Sequence, residues 1–305
     1  MERTPGSELV QAGRTIEPAE VELIREVVEL FPRLSRTELA RTLCDHLGWY
    51  TATGTYKEDA CRKLLSRLET RGLVCLPEKR PVAPQRPAPS PPPWSGATAP
   101  GPAVTGALRQ LGPVWLEVVE ERQRLGLWNE YVGRYHYLGT TRPFGCYLRY
   151  FVMTERGPVG CVLLAGAAKA IAVRDAWIGW TREQRLRNLG WVVNNTRFLV
   201  FPWVEVRNLA SHVLGQVVRR IGPDWQARWG YRPVLLETFV DPGKYRGTCY
   251  RASGWQPLGQ TQGQGLPRRG KSYQTTAKLV YARGLVEGFR ERLCSESLVG
   301  KRVEP

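Results

Sequence analysis

Between residues 81 and 102 the chain reads P-V-A-P-Q-R-P-A-P-S-P-P-P-W-S-G-A-T-A-P-G-P. Each proline removes a backbone donor and fixes φ, so neither a helix nor a central strand can run through this stretch. It reads as an extended, polyproline-like spacer. The rest of the sequence must therefore fold on either side of it. That predicts a domain at 1–80, a linker at 81–103 and a domain at 104–305. With 305 residues and 42% hydrophobic content, both sides can bury a core.

The two sides differ in charge. Residues 1–80 hold 13 Lys+Arg and 13 Asp+Glu; of the 44 and 28 in the whole chain, 31 and 15 fall after them. The net charge of +16 thus belongs to the second part. Most of those cations are arginine, which pairs phosphate through a bidentate fork, so a polyanion partner is expected, with a solubilising surface as the alternative. Eleven tryptophans add faces on which bases can stack, although tryptophan is also core material. No run reaches the length of a membrane span, and the opening M-E-R-T-P-G-S-E-L does not read as a signal peptide. Seven scattered cysteines without C-x-x-C speak against a disulfide framework and against zinc. The expected compartment is the cytoplasm, and no metal is expected.

Three helices are readable before the linker. Residues 20–31 carry an amphipathic pattern, Ser35 and Glu38 form a capping box opening 36–47, and 57–71 align Ala60, Leu64, Leu65 and Leu68. Gly72 stops the third helix, and L-V-C-L-P can form a short strand. This order suggests a winged helix-turn-helix, with Lys57, Arg62, Lys63 and Arg67 as the exposed, DNA-facing cations of the third helix. A helical dimerisation module fits the neutral charge equally.

After the linker the pattern alternates. One or two helices are expected at 108–135, a hairpin at 147–153 and 159–166, and an irregular polar-aromatic stretch at 168–197. Then follow a strand at 198–201, a helix at 208–221, a strand at 234–240, a short helix at 248–253 and a last strand at 279–281. Interleaved strands and helices predict an α+β domain with a mixed sheet and flanking helices.

One junction carries chemical information. In F-L-V-F-P-W-V-E-V-R-N-L-A-S a strand hands over to a helix N-terminus, where unpaired N–H groups can receive an anion. Downstream, a strand ending in Glu237 leads through D-P-G-K-Y-R-G-T-C-Y-R-A-S-G-W to P-L-G. The pattern Y-x-x-x-G-W-x-x-x-G after a strand resembles the C-terminal signature of GNAT-superfamily acetyltransferases. Glu205-x-x-Asn208-x-Ala210 matches the spacing of that family's pyrophosphate turn. The resemblance implies a GNAT-like fold over about 108–283. It assigns Tyr250 as the acid that protonates a leaving thiolate, Glu237 or Asp241 as base, and the backbone of Val206, Asn208, Leu209, Ala210 and Ser211 as a phosphate cradle. The turn departs from the family at two places: Glu205 sets a carboxylate near a phosphate, and Asn208 stands where the family has glycine. Both departures argue against ordinary acyl-CoA, so the cofactor is left unknown.

A longer resemblance spans most of the chain. H-Y-L-G (136–139), R-D-A-W-I-G-W (174–180), N-N-T-R-F-L (194–199), P-W-V-E-V-R-N-L-A-S (202–211) and E-T-F-V-D (237–241) are similar to the family of the anti-phage Druantia protein DruA, whose relatives also occur fused to transposases. It implies a DNA-directed role in bacterial defence or on mobile elements, with a helicase or transposase as possible partner. Further candidates are weighed singly. His136 is a general base or a structural histidine, and Asp175 a catalytic carboxylate or half of an ion pair with Arg174. Asn194 and Asn195 read a base edge or hold a turn, and Trp177, Trp180 and Trp191 stack on a base or fill the core. Arg174, Arg197, Arg246, Arg268, Arg269 and Lys271 are candidate phosphate contacts. Three functions compete: a GNAT-like transferase acting on DNA or a nucleobase, a catalytically inactive GNAT scaffold that recognises DNA, and, ranked last, an RNA- or protein-directed acyltransferase. Binding ranks above catalysis.

Overall fold

The computed structural model describes residues 9–32, 34–78, 94–141, 143, 145–263 and 276–295. The chain divides into two compact units, residues 1–90 with 181–188 and 295–305, and residues 91–180 with 189–294.

In the first unit, β1 (Leu9–Gln11) and β2 (Arg14–Ile16) form an antiparallel pair ahead of α1 (Pro18–Leu30), α2 (Arg36–His46) and α3 (Glu58–Thr70). The capping box forms: the Glu38 backbone N–H donates to Ser35 Oγ at 3.3 Å, and the Ser35 N–H donates to Glu38 Oε2 at 2.8 Å. Ile24, Leu39, Leu43, Leu64, Leu65 and Leu68 meet in a fully buried core, as the 3.6-residue spacing required. The wing does not form among the described residues of this unit: the hairpin precedes the helices, and residues 73–78 after α3 form no strand. The cause is local. Arg25 Nε donates to Leu73 O at 3.3 Å and Arg36 Nε to Pro77 O at 2.8 Å, so arginines of α1 and α2 take carbonyls that a partner strand would have used. Val74 and Leu76 meanwhile bury their side chains in the helical core. A helix at Arg182–Asn188 also belongs to this unit, and its Arg187 Nε donates to Gly13 O at 2.7 Å.

The second unit contains β3 (Val104–Ala107), β4 (Val114–Val118), α4 (Arg122–Tyr135), β5 (Leu148–Thr154), β6 (Gly157–Gly166) and α5 (Ala172–Ile178). With α6 counted as Arg182–Asn188, there follow β7 (Val192–Val200), β8 (Val204–Arg207), α7 (Leu209–Trp229), β9 (Leu235–Val240), α8 (Thr248–Ala252), β10 (Gln256–Gln260), β11 (Leu279–Gly284) and α9 (Phe289–Leu293). A seven-stranded sheet runs in the order β10-β11-β9-β7-β6-β5-β4. All its pairings are antiparallel except β7 with β9, and β3 pairs separately with β8 in parallel. A mixed α+β fold around a central mixed sheet is thus observed. The stretch 168–197 is more ordered than its composition suggested, holding α5, α6 and most of β7.

Residues 81–93, the body of the proline-rich stretch, lie outside the described residues, as do Arg268, Arg269 and Lys271. The part that follows is tied down on α4. Ser95 Oγ donates to Glu130 Oε2 at 2.8 Å, Tyr131 Oη to Ala97 O at 3.1 Å and Tyr135 Oη to Thr98 O at 2.7 Å.

Candidate functional site

The parallel pair β7–β9 is short. It holds four register pairs, from Val192↔Leu235 to Asn195↔Thr238, and then the strands part. The reason lies on the other side of β7, where the register against β6 slips between Leu163↔Arg197 and Leu164↔Asn195, leaving Thr196 as an extra residue. A bulge bends a strand, and this one turns β7 away from β9. Asn195 holds it in shape: its Nδ2 donates to Leu163 O at 3.2 Å and to Arg197 O at 3.0 Å.

A cavity of about 330 Å³ opens where the strands part. It is lined by Asn195, Thr196 and Phe198–Val200 of β7 and by Thr238–Val240, by Ala210 at the start of α7, by residues 135–138 and by residues 245–250. The first turn of α7, at Ala210, and the phenol of Tyr250 therefore share one cleft, whereas Glu205 and Asn208 of the preceding turn do not line it. Its floor is neutral and polar. Tyr250 Oη donates to Asn195 Oδ1 at 2.8 Å, and Thr238 Oγ1 donates to Asn195 O at 3.0 Å. Tyr250 is wedged against Tyr281 (centroids 5.7 Å apart), Trp255 (5.2 Å) and Phe198 (6.3 Å). Burial pushes its pKa well above the ordinary tyrosine value, so the phenol is protonated and acts as a donor.

The mouth is aromatic and cationic. Tyr137 and Tyr245 are exposed, with ring centroids 5.8 Å apart, and Lys244 Nζ lies 5.1 Å from the Tyr137 centroid. Arg246 is exposed and lines the cavity. Asp241 builds this rim rather than lining it. Its Oδ1 accepts from the Gly243 N–H at 3.0 Å, its Oδ2 accepts from Lys278 Nζ at 2.5 Å, and the Lys278 bond holds its pKa below the usual value. Its carbonyl accepts the Tyr245 N–H at 2.8 Å. His136 lines the cavity, and the Leu138 N–H donates to its Nδ1 at 3.2 Å, which fixes the neutral ring as the Nε2–H tautomer. Burial, helped by Arg197, lowers its pKa to about 4. Arg197 is half-buried; its Nε donates to Gly139 O at 2.8 Å and its Nη1 to Thr196 O at 2.7 Å, so it anchors the loop after α4 to the bulge.

Other sequence candidates lie elsewhere. Glu237 is fully buried, with Oε2 2.8 Å from Arg174 Nη1 and Oε1 accepting the Ala168 N–H at 2.7 Å. It projects from the opposite sheet face to Thr238, as alternation along a strand requires, and does not line the cavity. Arg174 is also fully buried and donates through Nε and Nη2 to Asp175 Oδ1 at 3.0 and 2.8 Å. Burial works against its charge, but the carboxylates of Glu237 and Asp175 outweigh burial and raise its pKa. Trp180 is buried and donates to Asp175 Oδ1 at 3.0 Å. This network takes Arg174 and Trp180 out of reach of a nucleic acid. Asn194 shares the Glu237 face and keeps a buried Oδ1 without a hydrogen-bond partner, and Trp191 is core.

In the first unit, Arg62 and Lys63 are exposed, Lys63 in an ion pair with Asp59 at 2.6 Å. Arg67 donates to Val10 O at 2.6 Å and Lys57 is half-buried, so these two do not stand on an open helix face. Tyr137, Tyr245 and the bulge at Thr196 were not singled out from the sequence. An aromatic beside a cation in the turn-forming D-P-G-K-Y-R was the signal available for Tyr245.

The phosphate turn implied by the GNAT resemblance can now be tested. Asn208 holds φ +65°, a left-handed conformation that glycine adopts freely and asparagine tolerates. Glu205 is exposed on β8, opposite Thr105 of β3, and does not line the cavity. The backbone around Leu209, Ala210 and Ser211 opens a 21-residue helix, whose first N–H groups have no intrahelical acceptor.

A family model described as Druantia protein DruA matches residues 99–283. Solved structures include likenesses to an aminoglycoside acetyltransferase AAC(6′)-Ib in complex with coenzyme A (16% identity, 59% of this chain and 98% of that one, TM-score 0.38). A spermidine N-acetyltransferase SpeG chimera from Vibrio cholerae and hSSAT gives 9%, 56%, 95% and 0.38. A putative GNAT-family acetyltransferase from Desulfovibrio desulfuricans gives 12%, 57%, 100% and 0.34. No curated protein matches the chain.

Proposed function

The chain belongs to the Druantia protein DruA family, and from that premise we propose that it is a DNA-binding component of an anti-phage system whose cavity receives an unstacked nucleotide. The observation that carries this reading is the cavity where β7 and β9 part. It offers exposed tyrosines and cations at its mouth and a neutral hydrogen-bonding floor beneath. Base rings stack on such aromatics regardless of sequence, phosphates meet the cations, and the floor can answer a base edge. The unit around the cavity holds 25 Lys+Arg against 12 Asp+Glu, which supplies the long-range attraction.

DNA affinity is expected to fall steeply as salt rises from low to moderate concentration, and Tyr245→Ala is expected to weaken single-stranded DNA binding about 5- to 150-fold with an unchanged salt slope. Affinity that stays flat with salt, measured by fluorescence anisotropy, would remove the proposal. A transferase reading has one observation in its favour: the protonated Tyr250 and the neutral His136 line the same cavity, although Glu237 and Asp241 do not. Mass spectrometry of DNA nucleosides from cells with and without the protein decides between binding and modification.

A further inference from the structure

The second unit has another polar cavity, of about 660 Å³, lined by Asn129, Thr140, Thr141, Tyr147 and Arg149 among others and, among the described residues, by no carboxylate. Arg149, on β5, is the group that stands out. Its guanidinium lies 4.7 Å from the Tyr147 ring centroid and 5.3 Å from that of Trp128. Both rings are fixed in turn: Trp128 Nε1 donates to Tyr150 O at 3.0 Å, and the Tyr147 ring meets the Trp229 ring edge-on with centroids 6.1 Å apart. The arginine is therefore held in place by its stacking neighbours.

Its hydrogen bonding is incomplete. Arg149 Nε is buried without an acceptor, and among the described residues no carboxylate pairs with the guanidinium. Elsewhere in the unit Arg124 pairs with Glu117 and Arg220 with Asp224. A positioned guanidinium with vacant donors, facing hydroxyls and an amide, calls for an oxyanion, and its planar fork matches phosphate.

The two cavities share one segment. Tyr137 and Leu138 line the first, and Thr140 and Thr141 line the second, with Gly139 pinned between them by Arg197. Leu138 and Thr140 are two residues apart across a turn in which Gly139 holds φ +58°, so their backbones lie within about 7 Å of each other. A base drawn out of its stack and the neighbouring phosphate of the same strand can therefore meet the two cavities together. We propose that the Arg149 cavity holds a phosphodiester of the same strand whose base enters the first cavity. This rests on the reading of the first cavity given above.

The test uses the full chain and a labelled single-stranded DNA oligonucleotide, titrated by anisotropy across a salt series. Arg149→Gln is expected to weaken binding about tenfold and to make the slope of log K against log salt shallower by about 0.7, the share of one single-strand phosphate. Asn129→Asp, which sets a carboxylate in the cavity, is expected to give the same loss, with the melting temperature of both variants as the control for folding. Binding by the wild type with an unchanged slope in both variants overturns the inference and leaves the first cavity's reading standing. No oligonucleotide binding at all removes both. Inorganic phosphate that then raises the wild-type melting temperature, but not that of Arg149→Gln, would assign the cavity to a free anion instead of a strand.

Discussion

Asn194 and Glu237 sit across from each other on β7 and β9, and so do their immediate neighbours Asn195 and Thr238. One step along the strands changes the environment completely. On the first face, Glu237 and Arg174 are fully buried and each charge is met by a partner. On the second, Asn195, Thr238 and Tyr250 form a neutral network that floors an open cavity. The difference teaches that a carboxylate at a strand end is not by itself a candidate base. Here it closes α5 against the sheet. The groups a ligand can meet are neutral donors and acceptors one residue further on.

The sharpest way to break this contrast is to unpair the charges. Arg174→Met leaves a buried carboxylate with no counter-charge, and loss of one partner of a buried pair costs about 3–5 kcal/mol. The midpoint of urea unfolding should fall accordingly. The double variant Arg174→Met, Glu237→Leu should regain most of the loss, because an apolar pair of similar volume is often as stable as the ion pair it replaces. A single variant within about 0.5 kcal/mol of wild type would mean that Glu237 is free for other work.

The neutral face should respond more gently. Tyr250→Phe keeps the rings packed and removes the donor to Asn195 Oδ1, at about 1–2 kcal/mol. If the floor answers a base, DNA affinity falls as well, which the sealed face cannot produce without unfolding. Anisotropy measured on the folded variant separates the two faces.

Much of this arrangement was legible in the sequence, and the failures have identifiable causes. The capping box at Ser35 and Glu38 and the helix start after Asn208 depend on local chemistry, and a sequence displays local chemistry directly. The helix after Asn208 was expected to end at Ile221. It continues through Pro223 to Trp229 because buried Ile221 and Trp225 anchor both sides of the break. Proline's cost of about 3 kcal/mol is then met by burial. The strand Val114–Val118 was hidden inside an expected helix, since its identity comes from pairing with β5 rather than from its five residues alone. The wing failed for the same kind of reason: arginine side chains some 41 and 48 residues away claimed the backbone. The site itself depends on the bulge at Thr196, which nothing in N-N-T-R-F-L announces, because a bulge is a property of two strands. Asn195 and Tyr250 were both named from the sequence, but their hydrogen bond was not, since 55 residues separate them.

The smallest expected effect concerns the rim of the open face. Half-buried His136 is held neutral, with its pKa lowered to about 4 by burial and by Arg197, whereas an unfolded histidine titrates near 6.5. Between those values the unfolded chain binds the extra proton, so stability falls as pH drops from about 6.5 to about 4 and is unaffected by this group above that window. Full burial would make the shift worth about 3 kcal/mol, and partial solvent screening reduces it to about 1–2 kcal/mol. His136→Gln should flatten that part of the stability profile in urea titrations run from pH 7 to pH 4. An unaltered slope would mean that the ring opens to water readily, and the rim around the cavity would then be looser than its hydrogen bonds to Leu138 and Gly139 imply.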